Sequence, residues 1–416
     1  MELKYYLMEK VTKSLFINFL FYMFLSGSSL YGANQYPIVL VHGFIGWGPE
    51  EMGGYPYWGG NLDLAEYLES FGFEVFTVSV GPVSSNWERA VETFYQIKGG
   101  QVNYGKNHSD KWDIIKIPEG KYYSGLYPEW DHDHPIHFIG HSMGGQTIRM
   151  LAYQLTHSFH SDSIVDDIDE NILLNIEHSG WIKSITTIST PHNGTTLSNL
   201  VSKTVPFLQN FIILGAVIET KFYDFDLHHW GFNRKKNESW FNYFKRMRNH
   251  PSWNTKNICS WDLSIEGAKE LNTFLMAQPK IFYFSFTTST THKNKNTGVQ
   301  QPDKYTSLLL RTKSRIIGSK IVQFQDGTTT DSLWFENDGV VNTISQKGPT
   351  TGENGADPLK YYNSSESVIP GQWYNMGKIK MDHWKIIGQG KMTNDDEDFL
   401  LSLYLNHCKR LWDLPN

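Results

Sequence analysis

The sequence predicts an α/β fold, a mostly parallel sheet with helices on both faces. Three observations carry this expectation. Short apolar, β-branched runs alternate with helix-length segments along the chain, a pattern that lays strands side by side with crossover helices between them. The first run, Pro37-Ile-Val-Leu-Val41, shows no polar alternation, as a strand buried on both faces requires. A serine flanked by glycines, in Gly140-His-Ser-Met-Gly144, stands where another apolar run gives way to a helix-forming segment.

The elements follow in order. Lys4, Lys10 and Lys13 precede an apolar run from Leu15 to Leu25, and small residues follow from Ser26 to Ser29. A positive flank, a short apolar stretch and small residues make a secretory signal, expected to end near residue 33. The run is short for a membrane span, and an uncleaved anchor is the alternative. Residues 34–416 then read as one domain. After the first strand comes a glycine-rich loop from Gly43 to Gly60. Asn61–Ser70 spells a helix with Leu62, Ala65 and Leu68 on one face and Gly72 as its stop. Strands are expected at Phe73–Val80, Pro135–Ile139, Ile182–Ile188 and Ile281–Phe286, and a helix at Met143–Thr156. Two insertions interrupt the alternation, at about 86–131 and 203–262. The first carries Gly, Tyr, His and Asp with little periodicity between 99 and 131. The second holds an apolar, helix-like run from Phe207 to Ile218 and then a section rich in Trp and charge. Such insertions usually cover an active site.

Composition narrows the function classes. With 416 residues, 40% hydrophobic and 19% charged, the chain is globular rather than disordered. Aromatics reach 15%, most of them expected in the core and some lining an apolar site. A net charge of −6 without a Lys/Arg stripe argues against a nucleic-acid partner. Cys259 and Cys408 are the two cysteines, too few for a disulfide framework, and the sequence leaves their pairing open. Asn107, Asn193, Asn237 and Asn363 head glycosylation sequences that matter only in a glycosylating host. Asn193 is expected near the active site, a poor place for a glycan.

The chemistry begins at Ser142. Gly140-His141-Ser142-Met143-Gly144 fits the nucleophile elbow in its required strand-turn-helix context. The glycines remove side chains from a sharp turn, and the helix N-terminus offers N–H groups to an oxyanion. One strand-loop earlier, His42-Gly43-Phe44 closes the first strand. The backbone N–H groups of Phe44 and Met143 are therefore the candidate oxyanion donors. Chain order in such hydrolases runs Ser, acid, His. Downstream of Gly231 the histidines are His250, His292, His383 and His407. His383 sits in a loop with apolar residues after it, and Asp338 lies upstream at a strand-end turn. Asp338 would fix the imidazole of His383, which would take the proton of Ser142. An Asp-Gly turn and a surface or core histidine are the alternative readings of these two residues.

These residues resemble the secreted lipases of staphylococci and thermophilic bacilli. The shared segments include Pro37–Phe44, Gly46–Met52, Tyr57–Gly60, Gly81–Trp87, Gly140–Thr147, Thr190–Thr195, Trp261–Ser264, Glu336–Asn342 and Met381–His383. The resemblance implies an α/β-hydrolase core and a helical lid near Phe207–Ile218. It implies hydrolysis of acylglycerols and simpler esters by Ser142, Asp338 and His383, and the leading expectation is attack on acylglycerols at a lipid–water interface. It also implies a zinc site in the small insertion, at positions matching Glu88, His108 and Asp262. Glu88 stands where the family has Asp. The family's fourth ligand, a histidine just beyond His108, is missing, with Asp110, Asp113 or His132 as substitutes. No cofactor is required for the chemistry itself. A calcium site found in many relatives is expected to be absent, because Lys385 occupies a ligand position and an ammonium cannot ligate a hard cation. Two other functions stand beside the lipase: a carboxylesterase or phospholipase on the same scaffold, and a catalytically silent secreted binding protein.

Overall fold

Seven strands form one parallel sheet in the computed structural model, which describes residues 34–159, 171–197, 228–231, 235, 237–324 and 327–415. They are β1 (Ile38–Val41), β2 (Val75–Val78), β3 (Ile136–His141), β4 (Ile182–Ile188), β5 (Phe282–Thr288), β6 (Leu359–Tyr361) and β7 (Trp373–Ile379), in spatial order β6-β7-β5-β4-β3-β1-β2. Each neighbouring pair runs parallel. The helices that matter below are α1 (Leu64–Glu69), α2 (Asn86–Lys98), α3 (Met143–Thr156), α4 (Ile265–Phe274), α5 (Arg311–Ile317) and α6 (Asn394–Trp412).

The unbroken apolar run of β1 is explained by its two faces. Val39 and Val41 join the core under α2 and α3, whereas Ile38 and Leu40 join the core under α1 and α6. All four are fully buried, each worth roughly 1.5–3 kcal/mol. The expectation of a parallel sheet covered on both faces is therefore met.

The details differ where side chains intervene. Asp63, at positive φ, caps α1 by accepting from the Glu66 N–H, so this helix starts at Leu64. Its buried face is Leu64 and Leu68, with Leu62 and Ala65 half-buried. The β2 edge stops at Val78 because side chains take over its next donors. The Ser79 N–H donates to Gln96 Oε1 and the Val80 N–H to His42 Nε2. In the region expected as an insertion from about 86, residues 86–98 form α2, nearly all buried and packed on α3. From Gly99 on, the segment holds a short antiparallel ribbon, Gly100–Gln101 with Tyr122–Tyr123, and a short helix, Lys106–Trp112. Phe207–Ile218 and residues 1–33 lie outside the described residues. Cys259 and Cys408 are free thiols buried in separate apolar clusters. Among the described residues no helix is long and apolar enough to cross a membrane.

Candidate active site

The site sits at the carboxyl ends of the central strands, where crevices in open α/β sheets form. Strand β3 ends at His141, and α3 begins at Met143. Between them Ser142 is forced to φ 55°, ψ −126°, a conformation that a non-glycine residue adopts only under constraint. The flanking glycines are needed because the turn is so tight. A Cβ on Gly140 would meet the backbone of Gly144 and Gly145 at 2.6 Å, and one on Gly144 would meet the Val41 carbonyl oxygen at 2.2 Å.

Three distant segments meet at this turn. His383 Nε2 lies 3.0 Å from Ser142 Oγ, and His383 Nδ1 lies 2.9 Å from Asp338 Oδ2. The carboxylate requires the proton on Nδ1, which leaves Nε2 as the acceptor of the serine proton. Both backbone polar groups of His383 are held as well. Its N–H donates to the Asp338 carbonyl at 3.1 Å, and its carbonyl accepts from His141 Nε2 at 2.9 Å.

Asp338 is fully buried and hydrogen-bonded on both oxygens. Oδ1 accepts the N–H groups of Val340 and Val341. Oδ2 accepts from Thr288 Oγ1 at 2.8 Å and Gln346 Nε2 at 3.1 Å, in addition to His383. Hydrogen bonds to the charged form compensate its burial.

The oxyanion loop is pressed against the serine. A Cβ on Gly43 would lie 2.7 Å from the Ser142 Cβ, which brings Phe44, the next residue, beside the nucleophile. As the first residue of α3, Met143 has no intrahelical acceptor for its N–H. Arg89, fully buried on α2, donates to the His42 and Gly81 carbonyls and to Thr147 Oγ1 on α3. One guanidinium thus ties the oxyanion loop to the nucleophile helix. Burial, and then the charge of Arg89, push His42 down to about 3. It therefore stays neutral and accepts the Val80 N–H.

Tyr57 and His141 complete the constellation. The Tyr57 hydroxyl accepts the Gly43 N–H at 3.1 Å and donates to His141 Nδ1 at 2.7 Å. Burial holds His141 well below its usual range, with the neighbouring His383 charge adding to the effect. A neutral His141 with its proton on Nε2 fits both bonds. The chain Gly43–Tyr57–His141–His383 therefore connects the loop after β1 to the backbone carbonyl of His383. Tyr57→Phe is expected to lower kcat for a soluble ester about tenfold with little change in KM, because two buried partners lose their bond where transition-state charge develops. A change in KM alone would count against this role. Sequence reading missed Tyr57, His141, Arg89, Thr288 and Gln346. Tyr57 and His141 stood inside quoted motifs, but nothing local signalled their pairing.

The zinc set expected from the family resemblance is only partly assembled. Glu88 and His108 come together, with Nε2 2.6 Å from Oε1. That is hydrogen-bond contact, whereas two ligands of a tetrahedral zinc stand about 3.3 Å apart. The Glu88 carboxylate is already saturated. Asn257 Nδ2 donates to Oε1 at 2.6 Å, and Ser85 donates its N–H and hydroxyl to Oε2. Burial alone would raise the Glu88 carboxyl, but His108 and Ser85 hold it down to about 2. Asp262 Oδ2 accepts the Asn86 N–H at 2.6 Å. The substitutes are elsewhere: Asp110 pairs with Lys106, His132 with Asp133, and Asp113 is exposed. Among the described residues, the group of three such side chains with converging donor atoms is Asp131, His132 and Asp133 in a largely exposed turn. The residues present do not fit zinc in this arrangement. At the calcium position, the Lys385 ammonium lies 3.7 Å from the Asp396 carboxylate. Asn193 is buried and bonded to Gly348, Asn272 and Thr350.

Comparison with known proteins places this geometry in context. A family model described as "Lipase-like, C-terminal domain" matches residues 34–407. A lipase of Staphylococcus hyicus is 35% identical over 363 residues, 85% of this chain and 54% of that protein. Lipase 1 of Staphylococcus aureus (strain MRSA252) is 35% identical over 376 residues, 86% of this chain and 51% of that protein. The chain thus spans about half the length of these curated relatives, 54% and 51%. Among solved structures, EstA from Clostridium botulinum superposes with a TM-score of 0.81 at 39% identity, covering 94% of this chain and 90% of that one. The Staphylococcus hyicus lipase superposes with a TM-score of 0.79 at 32% identity, covering 92% of this chain and 97% of that one.

Proposed function

The chain belongs to the family of lipase-like C-terminal domains, and on that premise we propose that it is a secreted serine hydrolase cleaving acylglycerol esters at a lipid–water interface. The observation that carries this reading is the Asp338–His383–Ser142 chain, with contacts of 2.9 and 3.0 Å, on a strained elbow. Secretion is supported by the positive, apolar and small-residue order of the first 33 residues.

The reaction follows from the geometry. Ser142 Oγ attacks the ester carbonyl as its proton passes to His383 Nε2. The imidazolium is stabilised by Asp338, which stays ionised. Negative charge on the former carbonyl oxygen is met by the N–H groups of Phe44 and Met143. Collapse expels the alcohol, protonated by His383, and leaves an acyl-Ser142 ester. Water, deprotonated by His383, releases the fatty acid and restores the serine. No step needs a metal.

Hydrolysis of p-nitrophenyl esters from short to long acyl chains, with emulsified triglyceride alongside, tests the substrate class. Activity is expected to extend to long chains and to jump once substrate exceeds its solubility. Activity confined to short soluble esters would replace the lipase by a carboxylesterase. Absence of any hydrolysis would bring forward the silent binding protein.

The Glu88 cluster holds the insertion by hydrogen bonds in this reading. Prolonged dialysis against a strong zinc chelator is expected to leave both the melting temperature and the ester rate unchanged. Release of one zinc per chain with a lowered melting temperature would overturn it.

A further inference from the structure

We propose that the segment from Lys304 to Lys320 is a docking surface for an anionic lipid surface, joined to the loops that carry Asp338 and His383. The inference rests on the hydrolase reading. It starts from exposure: Leu308 and Leu309 are 83% and 76% exposed in consecutive positions, where a soluble surface gains nothing from them. Ile316 is exposed on the following helix α5, where Lys313 shares its face by their spacing.

Charge gives the surface its partner. Residues 304–324 carry Lys304, Arg311, Lys313, Arg315 and Lys320 and no Asp or Glu, in a chain of net charge −6. Arg311 turns inward and donates to the Thr306 and Asp303 carbonyls, holding the leucine turn. Lys304, Lys313 and Arg315 are exposed. Leucines framed by cations suit a negatively charged interface that accepts apolar side chains between its headgroups. A second copy of this chain packed with the same surface face to face would set cation against cation. The apolar run Phe207–Ile218 contains no charge and would leave the cations unanswered.

Placement ties the surface to the chemistry. The Ser307 N–H donates to Asp382 Oδ2 at 2.7 Å, one residue before His383. Leu310 packs on Gly339, next to Asp338, where a Cβ would lie 2.8 Å from the leucine Cβ. Asn337 Nδ2 donates to the Ser314 carbonyl at 3.1 Å. The turn that carries the exposed leucines is thus pinned to the loops of Asp338 and His383.

The test is sedimentation of the intact Ser142→Ala chain, which cannot consume the lipid, with vesicles of phosphatidylglycerol or of phosphatidylcholine. Binding is expected to be about tenfold tighter to phosphatidylglycerol and to weaken in high salt. Adding Lys313→Glu with Arg315→Glu is expected to remove that preference. Adding Leu308→Ser with Leu309→Ser is expected to weaken binding to both vesicles about tenfold. All four side chains are exposed, and an unchanged melting temperature checks that the variants fold. Equal affinity for the two vesicles overturns the proposal, as does binding indifferent to both pairs. Dissociation of a dimer by the leucine pair would assign the surface to a second copy instead. Soluble-ester hydrolysis by the unsubstituted chain is measured in parallel. Its absence would sink the hydrolase reading, whatever the vesicles show.

Discussion

Ser142→Ala is expected to lower kcat by about 10⁶, His383→Ala by a comparable factor, and the double variant no further. The reason is that Ser142 Oγ and His383 Nε2, 3.0 Å apart, work on one proton. Without the imidazole the hydroxyl keeps its proton and is a poor nucleophile. Without the hydroxyl the imidazole has nothing to activate in the acylation step. Removing the second member therefore takes away an interaction that is already lost. A residual rate of roughly 10³ over water is expected from the N–H groups of Phe44 and Met143 and from substrate binding alone. Turnover of a soluble p-nitrophenyl ester by both single variants and the double variant checks this. Multiplicative losses would mean that the two residues act in separate steps and would undo the assignment. Retention of activity in Ser142→Ala would place the nucleophile elsewhere.

What the sequence makes legible here is what local sterics dictate. The elbow could be read because Gly140 and Gly144 are demanded by backbone contacts of 2.6 and 2.2 Å around one turn, and their spacing is printed in the chain. Strand β1 could be read because burial on both faces leaves no room for alternation. Asp338 and His383 followed from chain order, since the fold fixes which strand-end loops reach the serine. The residues that hold them did not follow. Thr288, the last residue of β5, and Gln346, at the end of the turn Thr343–Gln346, meet Asp338, and Tyr57 meets His141 across 84 residues. Such pairings are set by tertiary packing and leave no local trace.

The same distinction explains the other differences. Trp373–Ile379 lacks a β-branched run, contains Gly377 and slips register against β5 between Asn375 and Lys378, so periodicity did not reveal β7. Helix α6 carried a readable signal, a Thr393–Asp396 capping box and buried Leu400, Tyr404, Cys408 and Leu411, that the apolar-run criterion passed over. At Glu88 the residue types suggested ligands. The histidine the family has beyond His108 is missing, and the Asn257 amide donates to one oxygen of that carboxylate. Ligand type is visible in a sequence, but convergence of donor atoms is a property of packing.

Asp338→Asn is expected to lower kcat by about 10⁴ while leaving the fold in place. The amide cannot reproduce the carboxylate's pattern. Oδ1 accepts the N–H groups of Val340 and Val341 at 2.9 and 2.7 Å, so the amide oxygen must keep that side. Its NH2 then occupies the Oδ2 position, facing His383 Nδ1, Thr288 Oγ1 and Gln346 Nε2. An NH2 donating to Nδ1 forces the imidazole proton onto Nε2, which can then no longer accept from Ser142. The base is present but in the wrong tautomer. The Gln346 NH2 faces a donor instead of an acceptor, at a cost of about 1–3 kcal/mol for the unsatisfied group. A modest fall in melting temperature should therefore accompany the large fall in kcat. The two readouts separate the readings of Asp338. If it were only the turn residue of an Asp-Gly loop, Asn would serve nearly as well, because its oxygen still takes both backbone N–H groups, and kcat would change less than about tenfold. A 10⁴-fold loss in a protein that still folds requires the carboxylate to be acting on His383.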